Sequence, residues 1–255
     1  MFDFANDVVQ VNLPGYFYRV WVAHRLVPTN NVHPSELPEG AEPDCRPIQF
    51  GGSDRRLFSR AYWDQSLQFE YNRILGPVQN GVGIKGGISI TAMGVQAALD
   101  ANPEFGCIQG DIKNGYNEVC RESIMPALKS HSCLSSTVVF IQTILEPREY
   151  IGMGHGTELT EAPFRCKEGV HQGAVVSGWL FSLACNSAFQ NLNNALKEKG
   201  GGGAMGIIDD NYSLGPPAVI FDANKALSSQ RKMWDLNYSQ PNQVLHQRRT
   251  HTRTV

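Results

Sequence analysis

The sequence predicts an α+β fold in which antiparallel strands are backed by helices. Two short apolar runs, ending at Asp111 and at Asp209, are typical of strands that lead into turns. Between them, residues 178–199 carry an apolar stripe at helical spacing, with lysines in the last turn and Gly200 after it. If the two strands are neighbours, Asp111, Asp209 and Asp210 converge on one edge of the sheet.

The segment ahead of the first strand is predicted to hold loop and helix. Residues 28–43, rich in Pro, Asn and Glu, favour a loop. Residues 54–75 place apolar side chains at three- and four-residue steps, which predicts a helix. A glycine-rich stretch follows, and residues 89–101 are expected to form a second helix that stops before Pro103.

Further elements are predicted on either side of the long central helix. Residues 117–130 are expected to be helical, and residues 138–145, apolar and β-branched, are expected to form a strand. Residues 147–170 suit a hairpin region. Residues 218–221 are expected to return as the strand that places the Asp209–Asp210 pair at a hairpin tip. Residues 240–255 favour a disordered basic tail.

Composition excludes several classes of protein. The chain has 255 residues, 42% hydrophobic and 18% charged, within the globular range. Its net charge of −2 argues only weakly against nucleic acid, because local basic patches can still bind phosphate. The six cysteines lack zinc-ligand spacing, and no apolar run approaches the ~20 residues of a membrane span. No secretory signal is present, so we expect an intracellular protein of nucleus or cytoplasm, not secreted.

The converging carboxylates indicate a chemistry. Hard cations such as Mg²⁺ prefer oxygen ligands, and two of them roughly 4 Å apart can clamp an in-line phosphoryl displacement. Nucleic-acid polymerases work in this way. An Asp-Asp pair in a turn is more often ordinary turn chemistry, so its context must decide.

That context contains candidate nucleotide-binding residues. Gln172 can hydrogen-bond a nucleotide or template, and Gly173 lets backbone approach a substrate closely. Arg46 and Arg55 precede the strands, and guanidinium forks suit triphosphate oxygens. The alternative for Arg55 and its neighbour Arg56 is a solvated helix face, which is expected for at least one of them.

Five short segments occur in the order seen in one polymerase family. They are Arg46-Pro47-Ile48, Gln79-Asn80-Gly81-Val82, residues 110–117, residues 168–173 and Ile208-Asp209-Asp210. Over residues 14–222 the chain thereby resembles a reverse transcriptase (RNA-directed DNA polymerase) of the non-LTR retrotransposon and group II intron type. The resemblance implies right-hand polymerase fingers and palm, with an antiparallel palm sheet and a thumb that is absent or incomplete.

The resemblance also implies a domain division. Residues 1–45 would form an N-terminal extension, residues 46–105 the fingers and residues 106–222 the palm. Residues 223–255 would be a tail, expected to be disordered.

Roles follow by the same resemblance. Asp111 and Asp209 would hold two Mg²⁺ (or Mn²⁺) ions with Asp210 beside them, and these three would be the catalytic residues. Tyr116 would block a ribose 2′-hydroxyl, or else be a core aromatic on a helix face. The remaining nucleotide-binding residues would be Arg46, Arg55, Gln172 and Gly173.

The expected function is DNA synthesis from dNTPs on an RNA template with a DNA primer, without a membrane and with a protein partner left open. The sequence departs from the family at Ala174-Val175, where Asp-Pro is usual, and it has no lysine before Lys85. A catalytically inactive, truncated retroelement relic that binds nucleic acid or protein is therefore one alternative. An RNA-templated RNA polymerase is another alternative, and relative use of dNTP and rNTP would separate it from the reverse transcriptase.

Overall fold

The structure, a computed structural model, describes residues 7–8, 10, 12–15, 17, 24–30, 45–146, 168–229, 237–238 and 243–244. The chain divides into two compact units. The first unit comprises residues 1–68 and 116–180, and the second comprises residues 69–115 and 181–255.

The described residues form both helices and strands. The helices are α1 (Ser53–Ser66), α2 (Gln68–Leu75), α3 (Gly87–Ala101), α4 (Gly115–Glu118), α5 (Arg121–Lys129), α6 (Val138–Leu145), α7 (Ser177–Gly200) and α8 (Pro217–Ser229). A 3-10 turn, Ser132–Thr137, leads into α6. The strands are β1 (His24–Asn30), β2 (Cys45–Gly51), β3 (Gly106–Lys113), β4 (Gly203–Ile207), β5 (Asp210–Gly215), β6 (Asn237–Tyr238) and β7 (Gln243–Val244).

The first unit combines one strand pair with helices that meet through aromatic rings. β1 and β2 pair antiparallel along their full length. Tyr62 of α1 lies 5.3 Å from Phe140 of α6 between ring centroids, and Trp63 lies 4.9 Å from Trp179. Tilted pairs at such distances stabilise a core beyond the area that they bury.

The second unit is an antiparallel sheet with helices on both faces. Its strand order is β4-β5-β3-β6, and β7 also pairs with β3. On one face, Ile108 and Ala204 pack against buried apolar residues of α7 and α8. On the other face, Cys107 and Leu214 pack with Leu99 of α3. The predicted α+β class with an antiparallel sheet is therefore confirmed.

The strand that returns from the acidic turn was predicted in the wrong place. β5, Asp210–Gly215, is that strand, whereas residues 218–221 lie in α8. Pro217 is the first residue of this helix, where its fixed φ and missing N–H are tolerated. Ile220, Ala223 and Leu227 follow at three- and four-residue spacing and are buried. The hairpin itself and its acidic tip are as predicted.

The predicted strand at residues 138–145 is also wrong, because this segment forms α6. Phe140, Ile141, Ile144 and Leu145 are buried, while Gln142 between them is exposed. That pattern has the 3.6-residue period of a helix, which outweighs the strand preference of β-branched side chains.

Other predictions differ from the structure in detail. The helix predicted over residues 54–75 is two helices, α1 and α2, and the loop predicted over residues 28–43 overlaps the end of β1. The helix α8 continues past residue 223, where the tail was expected to begin. The hairpin predicted over residues 147–170 lies outside the described residues as far as residue 167, as does most of the tail over residues 240–255.

The helices predicted near residues 89–101, 117–130 and 178–199 are confirmed as α3, as α4 with α5, and as α7. In the described part of the chain, no helix combines the length and apolar character needed to cross a membrane.

Candidate active site

Two carboxylates face each other across neighbouring strands of the second unit. In the β3–β5 ladder, Asp111 is paired directly with Asp210. Directly opposed residues of an antiparallel pair point to the same face, with Cβ atoms about 4.5–5.5 Å apart. Asp111 is exposed and Asp210 is half-buried. The sheet therefore brings together two residues that are far apart in sequence. The two apolar runs themselves were expected to be neighbouring strands and are not, because β5 lies between β3 and β4.

The surroundings of Asp210 favour its protonated form. Burial raises the pKa of Asp210, and the negative charge of Asp111 raises it further, while a hydrogen bond with the Gln109 side chain acts in the opposite direction. The charge of Asp210 in turn helps burial to raise the pKa of the Tyr212 hydroxyl. A half-buried carboxylate with a raised pKa and a second carboxylate directly opposite it are typical of sites that bind a cation.

The third carboxylate, Asp209, lies in the turn between β4 and β5. Its backbone carbonyl accepts a hydrogen bond from the N–H of Ile112, with 3.2 Å between nitrogen and oxygen. Burial, with the charge of Asp209 as a second cause, raises the pKa of the Cys185 thiol in α7 to about 12. The turn is thus tied to β3 through its backbone, and the field of Asp209 reaches α7.

The turn has an uncommon backbone. Ile208 has a φ of 59°, in the left-handed region that β-branched residues rarely adopt. The buried side chain of Gln79 bonds to both the N–H and the carbonyl of Ile208. Gln79 opens one of the five segments that resemble the polymerase family, but the sequence assigns it no role, because its partner lies 129 residues away and no local pattern reveals such a contact.

The carboxylate pair fits a hard divalent cation by its donor chemistry. Asp111 and Asp210 present oxygen ligands on the same face, and a cation would relieve the repulsion between them. Among the residues that the structure describes, no group of three or more His, Cys, Asp or Glu side chains is arranged to hold a metal ion. The geometry thus supplies a facing pair, with Asp209 adjacent in the chain.

Two predicted nucleotide contacts lie in one part of the first unit. The N–H of Val170 donates to the carbonyl of Tyr116 over 2.6 Å, which joins α4 to the loop ahead of α7. The guanidinium of Arg121 donates to the carbonyl of Gly169 over 2.7 Å. Gln172 follows in this loop and is half-buried, and its Oε1 has no hydrogen-bond partner among the described residues.

The other predicted contacts also belong to the first unit. Gly173 is exposed with a φ of 105°, which favours glycine. Arg46 stands in β2 opposite Thr29 of β1. Arg55 of α1 is only 3% exposed and packs against Gly51, whereas Arg56 is exposed, as expected for one of the two.

Comparison with solved structures identifies the class of fold. The telomerase of Candida albicans, solved with a TWJ fragment of telomeric RNA, matches 93% of this chain with a TM-score of 0.59 and 12% identity. The apo telomerase of Candida tropicalis, truncated from its C-terminal domain, matches 86% with a TM-score of 0.57 and 10% identity. Telomerase is related to reverse transcriptases, so this chain has a reverse-transcriptase-like fold.

The likeness is one of fold and covers part of each telomerase. The chain spans 44% of the first solved chain and 50% of the second, about half their length. No protein-family model matches the sequence, and no curated protein is similar to it.

Proposed function

We propose that the chain is the fingers-and-palm part of an RNA-directed DNA polymerase that uses Mg²⁺ or Mn²⁺. The observation that carries the proposal is the register of β3 and β5, which sets Asp111 opposite Asp210 at one end of an antiparallel sheet. The reverse-transcriptase-like fold supports the proposal independently, because the similarity to the telomerases is one of backbone structure and does not depend on the acidic residues.

The carboxylates would act by holding charge in place. Asp111 and Asp210 would bind the cation from adjacent strands, with Asp209 supplying a further oxygen ligand from the turn. The bound metal would supply electrostatic stabilisation of the attacking and leaving oxygens in phosphoryl transfer. The hydrogen bond between Gln109 and Asp210 would orient that carboxylate and oppose the rise in its pKa that burial causes.

The remaining predicted residues would bind nucleotide and template. Tyr116 would filter dNTP from rNTP by contact with the sugar, and Gln172 with Gly173 would lie against the nascent base pair. Arg46 and Arg55 would bind triphosphate oxygens. The burial of Arg55 weakens its candidacy, since a triphosphate needs an accessible guanidinium.

The subclass is proposed from the sequence segments alone. Their order supports a reverse transcriptase of the non-LTR retrotransposon or group II intron type, whereas the two solved structures compared above are telomerases. The telomerase from Candida albicans was solved with RNA, and we propose RNA as the template here as well.

A second candidate function is an inactive palm-and-fingers module that binds nucleic acid or protein. Ala174-Val175 favours it, because these residues replace the Asp-Pro that usually follows Gln-Gly in the family. The two candidates predict opposite results in a polymerase assay.

Primer extension on poly(rA)/oligo(dT) with Mg²⁺ or Mn²⁺ tests the proposal. We expect dTMP incorporation by the folded wild type and none by the Asp209→Ala, Asp210→Ala double variant. A folded wild type without extension would overturn the proposal and favour the inactive module. Higher use of UTP than of dTTP, with no change in Tyr116→Ala, would favour an RNA polymerase instead.

A further inference from the structure

We propose that Gln79 is a positioning residue, which aims the carboxylates of Asp209 and Asp210 by fixing the backbone of the turn before them. The inference rests on the proposed function, because it concerns how the cation-binding acids are held. Gln79 contributes no atom to the carboxylate pair itself. Gln79 would act on the acids indirectly, by fixing Ile208, the residue directly ahead of Asp209.

The side-chain amide of Gln79 bonds to backbone through both its oxygen and its nitrogen. Its Oε1 accepts the N–H of Ile208 over 2.7 Å and the N–H of Gly81 over 2.9 Å. Its Nε2 donates to the carbonyl of Ile208 over 3.2 Å. The side chain is 2% exposed, so water does not compete for these bonds. Both backbone polar groups of Ile208 are therefore fixed by one side chain.

The residue held in this way is the strained one. A β-branched residue at a φ of 59° persists only where its surroundings over-determine that conformation. Without the bonds to Gln79, Ile208 would favour an ordinary negative φ. A change of φ there would rotate the peptide that leads into Asp209 and shift the start of β5.

The chain around Gln79 is built to dock on the hairpin. The N–H of Gly206 donates to the carbonyl of Val78 over 2.7 Å, and the N–H of Asn80 donates to the carbonyl of Gly206 over 2.8 Å. A Cβ built on Gly81 would lie 2.6 Å from the amide nitrogen of Ile208, so only glycine permits this approach. The backbone hydrogen bonds on either side of Gln79 thus place its side-chain amide beside the turn.

A matched control lies at the other end of the same hairpin. Asn193 of α7 is 5% exposed, and its Oδ1 accepts the N–H of Ala204 at the start of β4, over 3.1 Å. Like Gln79, Asn193 is a buried amide that bonds to the backbone of the hairpin. Its bond, however, is to the start of β4, at the opposite end of that strand from the acids. Loss of either amide should lower stability, and only loss of Gln79 should disturb the carboxylates.

The experiment compares Gln79→Met with Asn193→Leu, which each replace a buried amide by an apolar side chain of similar size. Mn²⁺ is titrated into each full-length variant by calorimetry, and melting temperatures report stability. We expect the Mn²⁺ affinity of Gln79→Met to fall about 10–100-fold, the usual effect of losing a residue that orients metal ligands. We expect Asn193→Leu to bind Mn²⁺ as wild type does, although its melting temperature also falls.

Two results would overturn the inference in distinguishable ways. Wild-type affinity in Gln79→Met would reject the positioning role and leave the proposed function intact. A wild type that binds no Mn²⁺ and extends no primer would reject both. If Gln79→Met does not fold, Gln79→Ala at low temperature is titrated instead, and the same outcomes apply. Faster hydrogen exchange of the Ile208 amide in the variant would independently support the claim that Gln79 fixes the backbone of Ile208.

Discussion

The two ends of the β3–β4–β5 sheet are stabilised in different ways. At the core end, Ile108 and Ala204 are buried against α7 and α8, and Leu214 is buried against α3. At the acid end, Asp111 and Asp210 face each other and are at least partly exposed. One end is held by apolar burial and the other by hydrogen bonds to backbone. The difference indicates that the acid end is the less stable end of the sheet, and that the acidic side chains are concentrated there.

The acid end carries two local costs that the core end lacks. Like charges directly opposed on neighbouring strands are destabilising, by about 0.2–1 kcal/mol on the scale of such pairs. A non-glycine residue in the left-handed region costs on the order of 1–3 kcal/mol. Neither feature helps the chain to fold, and both fit the proposed role of this end of the sheet in binding a cation.

The largest change in stability is expected from the core end. Ile108→Ala should lower the free energy of unfolding by about 2–5 kcal/mol, because Ile108 is 1% exposed and its loss leaves a cavity beside α8. Urea unfolding measures the change. Mn²⁺ affinity of the folded variant should stay at the wild-type value, and a parallel loss of affinity would contradict the separation of the two ends.

A smaller loss is expected from overpacking at the acid end. Gly81→Ala would place a Cβ 2.6 Å from the Ile208 nitrogen and should cost about 1–3 kcal/mol in the free energy of unfolding. Gly203→Ala is the control at the core end, where the new Cβ would lie 3.4 Å from Asn193 Oδ1, an ordinary contact. Equal urea midpoints for the two variants would show that the turn has room to adjust.

The smallest effect is a gain in stability. Asp210→Asn should raise the free energy of unfolding at neutral pH by about 0.2–1 kcal/mol, since the repulsion with Asp111 is removed. The pKa of Asp210 is raised in the folded state, so its ionisation lowers stability as pH rises from the unfolded to the folded pKa. The gap between variant and wild type should therefore narrow as pH falls.

Urea midpoints across a pH series measure this gap. Asp222→Asn in α8 is the control for loss of one exposed carboxylate. A variant at Asp210 that is less stable than wild type at neutral pH would contradict the account of the acid end as a site of stored repulsion.

Local sequence pattern was sufficient to predict the strands that lead into Asp111 and Asp209. The apolar runs before Asp111 and Asp209, and the stripe along α7, predicted two strands and a helix that the structure contains, although β5 lies between the two strands. The turn at Ile208 was predicted only as a turn. Its left-handed residue is bonded by Gln79, a contact across 129 residues that neither periodicity nor propensity encodes.

The wrong assignments have a physical cause as well. In α6, β-branched content favoured a strand, but two buried pairs of apolar residues separated by polar ones have helical spacing. In α8, Pro217 at the helix start was the available indication, and it was outweighed by the short apolar run that follows. In both segments the residue types favoured a strand, although the spacing of the buried apolar residues is that of a helix.

The measurement that tests the central claim most directly is Mg²⁺-dependent primer extension by wild type, Asp111→Asn and Asp222→Asn in parallel. The account predicts extension by wild type and Asp222→Asn, and a loss of at least about a thousandfold in Asp111→Asn, equivalent to several kcal/mol of transition-state stabilisation. Equal extension by wild type and Asp111→Asn would contradict the claim that the facing carboxylates of β3 and β5 are the catalytic pair.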